Sequence, residues 1–334
     1  MERKLLPWLD IAKCFCAAGV LYIHTEPLKQ IAPAGNGILL CFSHGGVALF
    51  FLLSGFLFAS GDGKPDFRQA PGRMLHFVRR VLRLYLVWAL PWLWVYVVIF
   101  QQPADFWQEL FFGIWHLWFL TGLLQVMVIL YVWQRFFAGI RLLPCSVAVF
   151  VLGTFLSTYT GYVAIDLTYW HFLRNGIFYG LVFFLLGMYM AQDRASACLG
   201  TLRKLLLPAV LIQIAEAVLL GSLHGYGVCY DFYLGQLLLA PALLAFLLKL
   251  PDVTGGWPSG TVFLRRVSTL FYCMHELLLV CWCMLAGRYA DCLASWIGVD
   301  RNVLNFCLIG VISAILSCLL AYGRKLERRL DWLM

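Results

Sequence analysis

The chain has 334 residues, of which 62% are hydrophobic and only 13% charged, with a mean hydropathy of +0.83. A soluble globular chain is about 45 to 50% apolar and about 25% charged, so these side chains exceed what a water-facing surface can hide. The composition specifies an integral membrane protein, and its apolar runs of helix-spanning length make the expected class all-α. A net charge of +8 does not argue for nucleic acid here, because Lys and Arg in a chain this apolar set topology from the cytoplasmic ends of helices.

A spanning helix needs about 20 apolar residues, and ten such runs are expected: 5–26, 37–60, 81–100, 115–133, 143–162, 174–192, 203–223, 230–249, 267–287 and 302–323. Residues 1–6 have the basic flank of a signal peptide. However, Asp10 and Lys13 interrupt the apolar stretch and no small-residue cleavage site follows, so the segment is expected to stay as the first span. Residues 61–80 form the only long polar stretch. The 250–266 connection, with Pro251, Gly255, Gly256 and Pro258, is rich in turn residues. No internal repeat stands out, and the loops are too short for a second domain, so residues 1–334 are expected to form one polytopic domain. The twelve cysteines lie mostly inside apolar runs, with no paired CxxC spacing, and read as small hydrophobes rather than metal ligands or disulfides.

Counting Lys and Arg by loop parity gives orientation. Twenty of the 25 fall at the N-terminus, the even loops and the C-terminus, and only Lys29, Arg174, Arg288 and Arg301 fall in odd loops. Both termini are therefore expected in the cytoplasm. His24, His44, His116, His171 and His224 then gather at outer helix ends or loops, with Glu26, Asp166 and Arg174. One interfacial histidine is usually structural; several on one side point to chemistry there.

Lys13 and His24 share the first span. Eleven residues at 1.5 Å each separate them by about 16 Å, three turns, so both can face one groove. A lysine inside a span is costly and by default functional, the alternative being neutralisation by Asp10 at i−3. His24 is suited to accept a proton from a hydroxyl near neutral pH.

The run LDIAKCFCAAGVLYIH (9–24) resembles the first span of the membrane acyltransferase 3 family, whose signature is Arg or Lys, ten residues, then His. Further matches follow in register: GVALFFLLSGF (46–56), Arg80 to Arg83 before Leu84 and Tyr85, HLWFL (116–120), Arg174 with FFLLG (183–187), and YCMHE (272–276). The resemblance implies a ten-helix enzyme of the short form without a fused domain, in the cell (cytoplasmic or inner) membrane. Such an enzyme moves an acetyl or similar acyl group from cytosolic acetyl-CoA or another acyl-CoA to a hydroxyl of an extracytoplasmic acceptor, a surface or lipid-linked glycan. Lys13 and His24 carry its first motif and are expected, with Glu276 and Arg174, to be catalytic; Arg80 and Arg83 carry its second. Two positions depart from the pattern. Lys13 stands where many members have Arg, which has a bidentate fork that Lys lacks, and Leu86 replaces a common Pro.

Coenzyme A carries several phosphate charges, and Arg73, Arg79, Arg80 and Arg83 are expected to clamp them by charge-assisted hydrogen bonds. Arg80 and Arg83, at i and i+3, share a helix face; the alternative is that these arginines only obey the positive-inside bias. Transfer is either direct, with His24 as general base, or through an acyl-enzyme on His24. Glu276 and His275 lie within the ninth span, and the partner expected for the carboxylate is Lys13. Arg174 either stabilises a developing oxyanion or binds an anionic glycan, or else anchors its helix. Trp115, Trp118, Trp170 and Trp257 read as interfacial belt residues, and Ser54 and Gly55 as a site of close helix packing. A secondary transporter or glycan flippase would also have ten spans, but would favour repeated halves and broken midplane helices.

Overall fold

The computed structural model describes residues 6–60, 71–159, 173–192, 196–226, 230–251 and 258–323. Among the described residues there is helix and no strand, as a chain surrounded by lipid requires if its backbone groups are to be paired within each segment. The α-helices among the described residues are α1 (Pro7–Thr25), α2 (Pro33–Ala59), α3 (Pro71–Trp94), α4 (Pro103–Phe112), α5 (Trp118–Phe136), α6 (Leu142–Thr154), α7 (Leu181–Met190), α8 (Ser196–Lys204), α9 (Leu206–His224), α10 (Gln236–Leu247), α11 (Pro258–Ile297) and α12 (Arg301–Tyr322). Among the described residues, seven helical stretches are long and apolar enough to cross a membrane, including Pro33–Ala59, Gly72–Ile99 and Arg301–Tyr322. The other three predicted runs coincide with α1 and with two shorter apolar helices, Gly176–Met190 and Gln236–Leu247.

Helices run past their predicted spans where nothing stops them. Proline at the first position starts α2, α3, α4 and α11, since its missing N–H is one of the helix's unpaired donors anyway. Thus α3 takes in residues 71–80 of the polar stretch, and α11 takes in part of the turn-rich connection. At its other end α11 continues through residues 288–297, expected as loop, until Gly298 at φ 68°. Pro91 within α3 removes one helical donor, and a π-helical segment, Val95–Ile99, follows it. Two further π segments, Phe155–Tyr159 and Gly176–Gly180, end α6 and lead into α7.

The centre of the bundle is α2, which packs against α1, α7, α9 and α10. Its seam with α7 is set by a reciprocal pair of glycines. A Cβ on Gly55 would strike the Phe184 carbonyl, and one on Gly187 would strike the Leu52 carbonyl. Only residues without side chains let two backbones approach this closely. Around this seam Phe51, Phe58, Phe150, Phe183 and Phe184 form the buried aromatic core.

The outside of the bundle is apolar in stripes. Leu82, Leu86, Leu90 and Trp94 recur every four residues on α3, and Val311, Ile315 and Leu319 do so on α12, all exposed. Exposed apolar rows of this extent face lipid, and they place Leu86, the departure from the family pattern, on the outer stripe. The chain is a multi-pass membrane protein.

Candidate active site

His24 stands one residue before the end of α1. There Thr25 bonds its hydroxyl back to the Leu21 carbonyl, and Glu26 closes the helix in the left-handed conformation, its N–H bonding the Tyr22 carbonyl. Glu276 comes from the middle of α11, which packs along α1. Nδ1 of His24 lies 3.2 Å from Oε2 of Glu276, at ion-pair distance but off the direction of a regular hydrogen bond. The partner expected for Glu276 was Lys13, and this is corrected. Lys13 Nζ lies 3.2 Å from Asp10 Oδ1, one turn away on its own helix.

His116 enters from the turn before α5. Gly113 at φ 116° and Trp115 at φ 45° reverse the chain, and a Cβ on Gly113 would strike Trp118. The turn is then tied to α11 twice: the Tyr272 hydroxyl donates to the His116 carbonyl, and His116 Nε2 lies 3.2 Å from the Cys273 carbonyl oxygen. His24, His116 and His275 converge, with ring centroids 4.8 to 6.2 Å apart.

Arg174 immediately precedes a locked helix start. Asn175 Oδ1 accepts from the N–H groups of Ile177 and Phe178, and the Gly176 N–H donates to Gln125. Arg174 lies over the Trp118 ring at 5.3 Å, donates to the Trp115 carbonyl at 3.3 Å, and approaches Asp231 at 3.8 Å. Asp231 in turn lies 3.4 Å from His44 Nδ1. His24 of the first pair and both members of the second open on one cleft, lined by His24, His44, His116, Arg174 and Asp231 with Trp118 and Tyr272 among its walls.

Three of the five outer-side histidines are therefore together. His224 faces Tyr230 elsewhere, Glu26 pairs with Lys29 and Asn36, and His171, Asp166, Trp170 and Trp257 lie outside the described residues. Trp118, expected in an interfacial belt, is instead buried in the cleft wall, while Trp115 stacks on Trp92. Asp231 was missed. Its signal is a carboxylate set among aromatics (Tyr230, Phe232, Tyr233) at the start of an apolar run. Glu216 was missed as well, although it is a carboxylate inside an apolar run. It accepts from the Tyr159 hydroxyl and from the N–H groups of Leu234 and Gly235 at 2.6 to 2.7 Å, and serves as a buried clasp.

Lys13, expected to be catalytic beside His24, does not line the cleft. It belongs to a second polar group near the opposite end of α1, where Arg265 grips Asp10 with two hydrogen bonds and Arg80 lies within electrostatic reach of Lys13. Arg79, Arg80 and Arg83 are exposed on α3, about two to three turns beyond Arg73. The predicted residues thus divide into a His24–Glu276–Arg174 group and a Lys13–Arg80 group, separated along α1 by about 16 Å.

Among the described residues, the cysteines form no disulfide. Neither the curated proteins nor the solved structures offer a match to the chain. A protein-family profile, the acyltransferase domain of the acyltransferase 3 family, matches residues 6–322. With a histidine–carboxylate pair in an open cleft and a family match over nearly its whole length, this chain belongs to the acyltransferase 3 family and is a membrane acyltransferase.

Proposed function

We propose that the protein is an O-acyltransferase, acetyl being the first choice of acyl group. In this reading it carries the group from cytosolic acyl-CoA to a hydroxyl of a surface or lipid-linked glycan on the far side of the cell membrane. The chain is taken as one polytopic domain of ten spans with both termini cytoplasmic. The observation that carries the reading is the His24–Glu276 contact at 3.2 Å, opening on a cleft that also holds Arg174.

Arg73, Arg79, Arg80 and Arg83, with Lys13, hold the phosphates of coenzyme A at the Lys13 end. The pantetheine arm then runs about 16 Å along the bundle and brings the thioester to the cleft. Glu276 orients the His24 ring and stabilises the imidazolium that forms. His24 takes the proton from the acceptor hydroxyl as its oxygen attacks the thioester carbonyl. The C–S bond breaks, and the coenzyme A thiolate leaves and is protonated. Arg174 stabilises negative charge on the carbonyl oxygen in the transition state.

The test uses membranes bearing the protein, radiolabelled acetyl-CoA and extracted envelope glycans. Transfer should be lost in His24→Ala and His24→Gln with the protein still inserted. Near wild-type turnover in either variant would overturn the base assignment. A C-terminal reporter found outside the cytoplasm would overturn the sidedness.

A further inference from the structure

We propose that His24, His275 and Glu276 form a binding site for a divalent transition-metal ion, zinc foremost, in the floor of the cleft, and that an ion held there stops acyl transfer. The second half rests on the reading of His24 as base. One ligand atom from each residue lies within 4.8 Å of the others, close enough for side-chain rotation to bring all three onto one ion. Two nitrogens and a carboxylate oxygen are a zinc ligand set that leaves a fourth position open.

The burial of these groups points the same way. His275 is 0% exposed and Glu276 3%, and His275 Nε2 and Glu276 Oε2 have no hydrogen-bond partner among the described residues. His275 Nδ1 lies 3.1 Å from the Phe271 carbonyl oxygen. With the proton on Nδ1, that bond fixes the ring and turns the Nε2 lone pair inward, as in metal-bound histidines that donate their other N–H to a carbonyl. His116 repeats the pattern, with Nε2 toward the Cys273 carbonyl, Nδ1 unpartnered, and its ring 4.8 Å from His275. The glutamate–histidine contact needed for proton transfer and the ion use the same groups, so each excludes the other. Metal binding further requires the histidines unprotonated.

The protein, purified in nanodiscs and stripped with a chelator, is titrated with Zn²⁺ by calorimetry and with Co²⁺ by visible absorption. The wild type should take one ion, and affinity should fall at least about 10-fold in His275→Gln and His275→Phe, a loss typical even of outer-shell changes. Zinc should inhibit transfer by the wild type, a chelator should restore it, and His275→Phe should resist zinc inhibition at least about 10-fold better. Folded wild type that takes no ion, or equal binding in both variants, would overturn the site. Equal zinc inhibition of wild type and His275→Phe would overturn the switch. His24→Ala is assayed without zinc, so the base assignment stands or falls separately.

Discussion

Asp10 on α1 and Arg265 on α11 form a two-pronged ion pair, with Nε to Oδ1 at 3.1 Å and Nη2 to Oδ2 at 3.0 Å. Asp10 is 1% exposed and also holds Lys13, so one buried carboxylate serves two cations from two helices. Removing it would leave both cations uncompensated, and breaking such a pair costs on the order of 3 kcal/mol. Asp10→Ala should therefore lower the unfolding temperature of the purified protein and the folded yield together. Arg265→Lys should keep part of the stability, since it retains the charge and loses the fork. An unchanged melting curve for Asp10→Ala would show that the pair contributes nothing to the fold.

The glycine seam gives a second prediction. Gly55→Ala pushes a methyl group into the Phe184 carbonyl and must part α2 from α7, an overpacking cost of about 1 to 3 kcal/mol. Gly45→Ala, on the same helix, meets only the Leu239 side chain at 3.7 Å. Its better helix propensity should leave stability level or slightly raised. Melting temperatures measured in one detergent compare the two, and equal values would mean that the seam tolerates separation.

Asp231 should govern the acceptor rather than the donor. It lines the cleft beside His44 and Arg174 and lies apart from the Lys13 group. Asp231→Asn keeps the shape, removes the charge facing Arg174, and should raise KM for the glycan about 10-fold, the worth of one charge-assisted contact, with little change for acyl-CoA. Initial-rate measurements varying each substrate in turn separate the two. A rise confined to the acyl-CoA KM would move Asp231 to the donor side.

How far the sequence carried this reading depends on the range of each interaction. Each predicted run holds helix among the described residues, and seven helical stretches there are long and apolar enough to cross a membrane, because an apolar run of sufficient length is a local property. The seam was legible in Ser54 and Gly55 for the same reason: small residues inside an apolar run have few other uses. Lys13 shows the limit. Asp10 at i−3 and Glu276 both offered a carboxylate, and the register of α11 against α1 decides: it sets Glu276 beside His24, about 16 Å along α1 from Lys13, and Arg265 beside Asp10. Asp231, at the start of the 230–249 run, carried only the weak signal of a carboxylate among aromatics, because its partners His44 and Arg174 are far from it in the chain. The length of α11 was misjudged because glycines and prolines in the 250–266 connection read as turn, although Pro258 starts a helix.

The last prediction tests the donor end. If Arg80 and Arg83 hold coenzyme A phosphates, Gln at either position should raise KM for acetyl-CoA about 10-fold and leave the acceptor KM almost unchanged. The wild-type KM for the donor should also rise with salt, because exposed charges on α3 are screened. Lys at these positions should rescue only partly, since it lacks the planar fork. Lys13→Arg, which restores the residue many family members carry, should retain transfer. Lys13→Ala should weaken donor binding and should not reproduce the total loss expected of His24→Ala, because Lys13 lies with Arg80 rather than in the cleft. Insertion alone as the role of these arginines predicts mis-oriented protein with normal kinetics in the correctly inserted fraction. Acetyl-CoA affinity on purified variants of confirmed topology decides between the two. Unchanged affinity would remove the donor site from α3, and the acyltransferase chemistry would then rest on His24 and Glu276.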